Sequence, residues 1–211
     1  MASMSDPLDA PAASPVSSPA DADLRQRLLE AAALLLGEEG PGALSTRRLA
    51  QEAGTSTMAV YTHFGGMPAL VREVVAEGFV RLEARVGAVP TTDDTLADLR
   101  ALTAAYRANA LANPHLYAVM FGSASLGGYR LHDDERAVGL VAFGQLVTGI
   151  ERAMDAGALR RGDPASAAGQ VWTAVHGYVM LELAGFNHVV DDPEHQLLEP
   201  LLNHLIEALA D

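Results

Sequence analysis

Two short runs of this chain carry side chains suited to holding nucleic acid. They are Ser45-Thr46-Arg47-Arg48 and Ser56-Thr57-Met58, the second followed one turn later by Tyr61, Thr62 and His63. Hydroxyl and guanidinium groups bind phosphate oxygens, which fixes a protein on a duplex. Short side chains at an exposed helix start can meet base edges, which carry the sequence information. Arg47 and Arg48 are placed for phosphates, with Thr46 in reach of another. Thr57 and Met58 are the base-edge candidates, Met58 offering an apolar group to a thymine methyl. Ser45 and Ser56 have a second reading as helix caps, whose side-chain oxygens accept from backbone N–H groups.

These residues need two helices to position them. A helix over 46–53 opens behind Ser45 and buries Leu49 and Ala50, and a second over 56–63 turns Ala59 and Val60 inward. Gly54 supplies the tight turn between them, and Phe64 closes the pair against the preceding helix. Two helices joined by a short glycine turn form a helix-turn-helix, whose second helix enters the major groove.

Charge looks adverse to such a role until it is sorted by region. The 211 residues carry a net charge of −13, and all 14 basic residues are arginines. Residues 21–70 hold four arginines against six acids, whereas 71–211 hold ten against nineteen. Exposed charges farther apart than about 8 Å are screened at physiological salt, so DNA responds to the local face and not to the total. The acidity does argue against non-specific coating of DNA, which runs on phosphate neutralisation. There is no cysteine, hence no disulfide or thiolate metal site. With no apolar run of about 18 residues and no basic-then-apolar start, neither a membrane span nor a signal peptide is expected, and a cytoplasmic location follows.

The rest of the chain reads as helices. A Pro/Ala/Ser-rich stretch, 1–20, is expected to be a disordered tail. A helix over 24–37, capped by Asp21 or Asp23, shows Leu24, Leu28, Ala31, Ala32 and Leu35 on one face. Further helices are predicted over 67–86, 94–112, 113–121, 133–156, 164–185 and 194–210, with a mobile loop at 122–132. Asp163-Pro164 and Asp192-Pro193 are cap-plus-first-turn starts. No strand alternation occurs. The expected fold is all-α with about nine helices: a three-helix helix-turn-helix domain over 21–68, then a larger helical bundle over 69–211.

Residues 24–70 resemble the DNA-binding domain of the TetR family of bacterial transcriptional regulators. The parts that match are ALLLGEEG, then LSTRRLAQEAGTS, then AVYTHFGGMPAL, with Ala53-Gly54, Tyr61-x-His63-Phe64 and Leu70 at the family's spacing. VWTAVHGYVML, with Trp172 and His176-Gly177, is similar to the WHG-type C-terminal domain of one branch. Two positions depart from the pattern: Met67 stands where lysine is usual, and Met58 where small residues are common. The first removes a phosphate contact and lowers the salt slope by about one.

The resemblance implies that Tyr61 and His63 lie against the phosphate backbone, and that Ser45, Thr46, Arg47, Arg48, Ser56, Thr57, Met58 and Thr62 complete the DNA face. It implies a homodimer built on 164–185 and 194–210, where Leu197, Leu198, Leu201, Leu202, Leu205, Ile206 and Leu209 make a broad apolar face. The same face also fits packing within its own subunit. It implies a pocket among the middle helices, with Tyr106, His115, Tyr117, Met120, Phe121, Phe143, Trp172, His176 and Met180 as candidates. His176, one turn from Trp172, fits either a ligand-facing polar group or a satisfied core histidine.

Catalytic and metal readings find no support. The run His132-Asp133-Asp134-Glu135 invites a metal, yet the chain has no His-x-x-x-His pair, no phosphate loop and no nucleophile elbow. No enzyme, metal or cofactor is expected. The function expected is a ligand-responsive repressor that binds a palindromic operator as a homodimer and is released by a small apolar or amphipathic effector. The alternative is a ligand-independent architectural or activating DNA-binding dimer.

Overall fold

Helix starts in this protein are set by caps. The structure, a computed structural model, describes residues 18–121 and 133–210, the side chains of 133–136 excepted. Of the expected tail over 1–20, residues 1–17 lie outside the described residues, as do the expected loop over 122–132 and the side chains of Asp133, Asp134 and Glu135, whereas 18–20 are the cap and start of the first helix. Helix α1 spans Pro19–Glu39, α2 Thr46–Glu52, α3 Thr57–Phe64, α4 Met67–Gly87 and α5 Thr95–Ala112. Then come α6 Pro114–Phe121, α7 Asp133–Asp155, α8 Pro164–Leu183 and α9 Glu199–Ala210. No strand occurs among the described residues, so the fold is all-α.

The first helix begins earlier than its apolar periodicity indicates. Ser18 Oγ accepts from the Asp21 N–H at 3.2 Å, and Pro19 takes the first position, where a missing N–H costs nothing. The last helix is also modified: Glu194–Leu198 is a π-wound turn, and regular α geometry starts only at Glu199. Between α8 and that turn lies a short 3-10 segment, Phe186–Val189. Elsewhere the caps act as read. Asp94 Oδ1 accepts from Ala97 N–H at 2.9 Å and Asp163 Oδ1 from Ala165 N–H at 3.2 Å.

Two apolar clusters form the core. One joins α1 to α4 and α6 through Leu28, Leu29, Leu49, Val60, Leu70 and Val74, all essentially sealed from solvent. Each such side chain contributes roughly 1.5–3 kcal/mol relative to exposure. The other joins α5, α7, α8 and α9 around Tyr117, Ile150, Val179 and Leu202. Leu102, Tyr106 and Phe121 pack against both clusters and mark the seam between them. Much of the α9 apolar face is spent here: Leu198, Leu202 and Ile206 are buried in their own subunit, with Leu197 and Leu209 packed against them.

Candidate nucleic-acid interface and core cavity

The α2–turn–α3 unit is held by local chemistry. Ser45 Oγ accepts from Arg48 N–H and Ser56 Oγ from Ala59 N–H, each at 3.3 Å. Gly54 sits at φ 63°, and past it the Thr55 N–H donates to Ala50 O at 2.8 Å. A side chain at Gly54 would cost about 1–2 kcal/mol in that left-handed geometry. Gly65, at φ 69°, ends α3 with its N–H on Tyr61 O.

On α3, Val60 and Phe64 are buried one turn apart, while Ala59 is only half-buried. The opposite side presents Thr57, Met58, Tyr61 and Thr62, at positions i, i+1, i+4 and i+5 of one helical face. Met58 is 70% exposed and Tyr61 54%, high for side chains of their size. The Thr62 hydroxyl donates back to Met58 O at 3.0 Å. Arg47 is exposed and pairs with no carboxylate among the described residues; Thr46 is partly covered. Ser45 and Ser56 are engaged as caps.

Two expected DNA-facing residues have partners within the protein. His63 turns inward, with an 8% exposed side chain and Nε2 3.5 Å from Asp21 Oδ1 on α1. Arg48 Nη2 lies 2.6 Å from Glu39 Oε1, so its charge is already answered. Glu39 is a partner that the motif gave no reason to name.

A second feature lies at the seam. A cavity of about 360 Å³ is lined by Phe79, Leu82 and Val86 of α4, Leu102, Thr103 and Tyr106 of α5, Met120 and Phe121 of α6, Gly139, Leu140, Ala142, Phe143 and Leu146 of α7, and Trp172 and Val175 of α8. Of the expected ligand residues, Tyr106, Met120, Phe121, Phe143 and Trp172 line it. Tyr117 and His176 stand behind the wall. His115 and Met180 do not reach it: His115 packs beside Gly37 of α1, and Met180 is 41% exposed. The α4 and α7 linings escaped sequence reading because an apolar stripe looks the same whether it fills a core or borders a void. Gly139, one of three glycines at five-residue spacing within the predicted helix 133–156 (with Gly144 and Gly149), was the available signal.

The polar groups at this wall form one cluster. Trp172 Nε1–H donates to the Tyr106 oxygen at 3.2 Å, and the Tyr106 and Tyr117 oxygens are 2.9 Å apart. His176 Nδ1 is 2.6 Å from Tyr117 Oη and 3.0 Å from Tyr106 Oη. Burial pushes both phenols up and His176 down, so the cluster is neutral near pH 7. The shortest contact, 2.6 Å, assigns the Tyr117 O–H to Nδ1 of a neutral imidazole and so the Tyr106 O–H to Tyr117; the reverse order, through the longer 3.0 Å contact, would also give both hydroxyls an acceptor. His176 is thus the satisfied histidine of the two readings.

Comparison with known proteins agrees with this layout. A family model described as tetracyclin repressor-like, C-terminal domain, matches residues 99–205, and one described as bacterial regulatory proteins, tetR family, matches 28–74. An uncharacterized HTH-type transcriptional regulator of Mycobacterium tuberculosis is 29% identical over 171 residues, covering 80% of this chain and 72% of its own. A solved structure of a protein with unknown function from Rhodococcus sp. RHA1 superposes with a TM-score of 0.74 at 28% identity, covering 89% of this chain and 96% of that one. The TetR-family regulator PfmR from Thermus thermophilus shares the fold, with a TM-score of 0.66 at 23% identity over 87% of this chain and 97% of its own. With a reading helix at one end, an all-α body and family models matching both parts, this chain belongs to the TetR family of transcriptional regulators.

Proposed function

We propose that this protein is a cytoplasmic homodimeric repressor, binding a palindromic operator and released by a small apolar or amphipathic effector. The observation that carries the reading is the double membership of α4. Its Leu70, Val74 and Val75 belong to the core that holds α1–α3, and its Phe79, Leu82 and Val86 line the cavity. A molecule that fills the cavity bears on the helix that carries the reading unit. The coupling need supply only about 1–3 kcal/mol, roughly 5–150-fold in DNA affinity.

In this reading α1–α3 form the DNA-binding part and the rest binds effector and pairs with a second copy. The pairing surface is the outward face of α8 and α9, where Met180, Leu181 and Leu201 are 38–53% exposed. One reading helix covers few base pairs, whereas two held about 34–36 Å apart read an inverted repeat.

Enrichment of bound duplexes from a random pool tests this directly. The expected product is an inverted repeat, and Thr57→Ala with Tyr61→Ala abolishes its retention. A reporter placed behind that repeat falls when the protein is present. Enrichment without a repeat, or a reporter that rises, points to the architectural or activating alternative. Sedimentation of Leu181→Asp as a monomer, against a dimeric parent, tests the interface.

A further inference from the structure

We infer that the cavity takes an uncharged, ring-bearing molecule carrying a hydroxyl, which donates its proton to the Tyr106 oxygen. The inference rests on the reading of this cavity as the effector site and adds the chemistry of its ligand.

The walls select rings. Phe79 and Phe121 meet edge to face at 5.9 Å and 83°, and Phe143 and Trp172 at 5.9 Å and 61°. All four line the cavity, so a flat molecule finds aromatic faces and edges on several sides. Among the described lining residues, the side chains that carry a polar group are those of Thr103, Tyr106 and Trp172, and none is an ion pair partner. Moving an ion from water to such a wall leaves its charge without an answering group, at a cost of several kcal/mol.

The hydrogen bonds then select the polar group. Thr103 donates to Arg100 O of its own helix at 2.8 Å, which uses its proton. Trp172 N–H is spent on Tyr106, Tyr106 O–H on Tyr117, and Tyr117 O–H on His176. In that arrangement the side-chain donors of the described lining residues are all committed. What remains is acceptor capacity, since a phenol oxygen has two lone pairs and Trp172 occupies one of those on Tyr106. A ligand hydroxyl donates into the other without breaking the cluster. A ligand carbonyl would have to displace an existing bond, and the longest of them, Trp172 to Tyr106 at 3.2 Å, is the one it would take.

The test uses the sole tryptophan of the chain, Trp172, which lines the cavity. N-phenyl-1-naphthylamine, a neutral probe that brightens in apolar surroundings, is titrated into the full-length protein. Energy transfer from Trp172 locates it in the cavity. Phenanthrene, 9-phenanthrol and phenanthrene-9-carboxylate then compete for it. The expected order is phenanthrol ahead of phenanthrene by about five- to tenfold, as one net hydrogen bond implies. The carboxylate is expected at least tenfold behind both. In Tyr106→Phe the phenanthrol-to-phenanthrene ratio is expected to fall to about one. A preferred carboxylate, or a ratio that survives Tyr106→Phe, overturns the ligand class while leaving the cavity as the site. Absence of probe binding, or binding unaltered by Ala142→Leu in a variant whose helical content is intact, overturns the cavity reading and the inference with it.

Discussion

Arg48 Nη2 and Glu39 Oε1 stand 2.6 Å apart, tying the start of α2 to the end of α1 beside the reading helix. Both side chains are more than 40% exposed, so the pair contributes at most about 1 kcal/mol to stability. Its larger effect is on DNA binding, because a paired guanidinium brings less positive charge to a phosphate. Glu39→Gln should therefore strengthen duplex binding several-fold and steepen the dependence of log K on log salt by about 0.9. Arg47→Ala, which removes a cation with no described acidic partner, should flatten that slope by a similar amount. Titrations across a salt series check both. Equal slopes for Glu39→Gln and the parent would show that the pair opens freely on DNA.

His63 makes the opposite case. Its inward side chain lies 3.5 Å from Asp21 of α1, so it joins α3 to α1. His63→Ala should lower unfolding stability by about 1–3 kcal/mol and leave the salt slope of DNA binding as it was. Tyr61→Ala should do the reverse, since Tyr61 is 54% exposed on the reading face. Denaturant melts beside DNA titrations separate the two. A flattened slope with an unchanged melt for His63→Ala would return that residue to the backbone contacts.

Local signals and distant ones differ in how far the sequence reveals them. Ser45, Ser56, Asp94 and Asp163 were legible as helix starts because a cap reads residues two or three positions away. The Gly54 turn was legible because few residues adopt φ 63°. Pro19 was obscured: the Pro/Ala/Ser composition around it resembles a solvated tail, and only Ser18 beside Pro19 betrays a helix start. Inward or outward orientation was harder. His63 and Tyr61 are two residues apart in one motif, yet Asp21, 42 positions earlier in the chain, takes one of them inward. The cavity was half legible, since Tyr106, Phe121, Phe143 and Trp172 stood out while Phe79 read as one more member of an apolar stripe. Leu82, Val86 and Ala142 did not, because periodicity reports burial and not whether the space beyond is filled.

Asp98 gives the fold an acid limit. Its carboxylate accepts from Arg152 Nη1 at 2.8 Å, from Thr92 N–H at 2.9 Å and from the Thr92 hydroxyl at 2.7 Å, joining α5, α7 and the α4–α5 connection. The Arg152 bond, then those from Thr92, hold its pKa down to about 2. An unfolded aspartate titrates near 3.9, so the folded pKa is the lower one. The stabilisation is complete above about pH 4 and is lost as pH falls from about 4 towards 2. Denaturant midpoints measured through that window should fall for the parent and fall less steeply for Asp98→Asn. At pH 7 the variant should be the less stable of the two, because Arg152 loses its charged partner. Parallel acid slopes would mean that Asp98 is equally free to titrate in both states.

Gly78 and Met120 link the shape of the cavity to a helix crossing. A Cβ at Gly78 of α4 would collide with Met120 Sδ and lie 2.6 Å from Met120 Cγ on α6. Met120 is flexible and borders the cavity, so it can yield by swinging into that space. Gly78→Ala should keep the fold, since the helix gains about 0.8–1 kcal/mol of propensity against the strain of repacking. It should also shrink the cavity and weaken N-phenyl-1-naphthylamine binding by about tenfold or more. Met120→Ala alone enlarges the space, and added to Gly78→Ala it should restore binding. The two changes are then strongly non-additive, as contacting residues are. Undiminished probe binding in a folded Gly78→Ala protein would show that Met120 retreats elsewhere and does not gate the cavity volume.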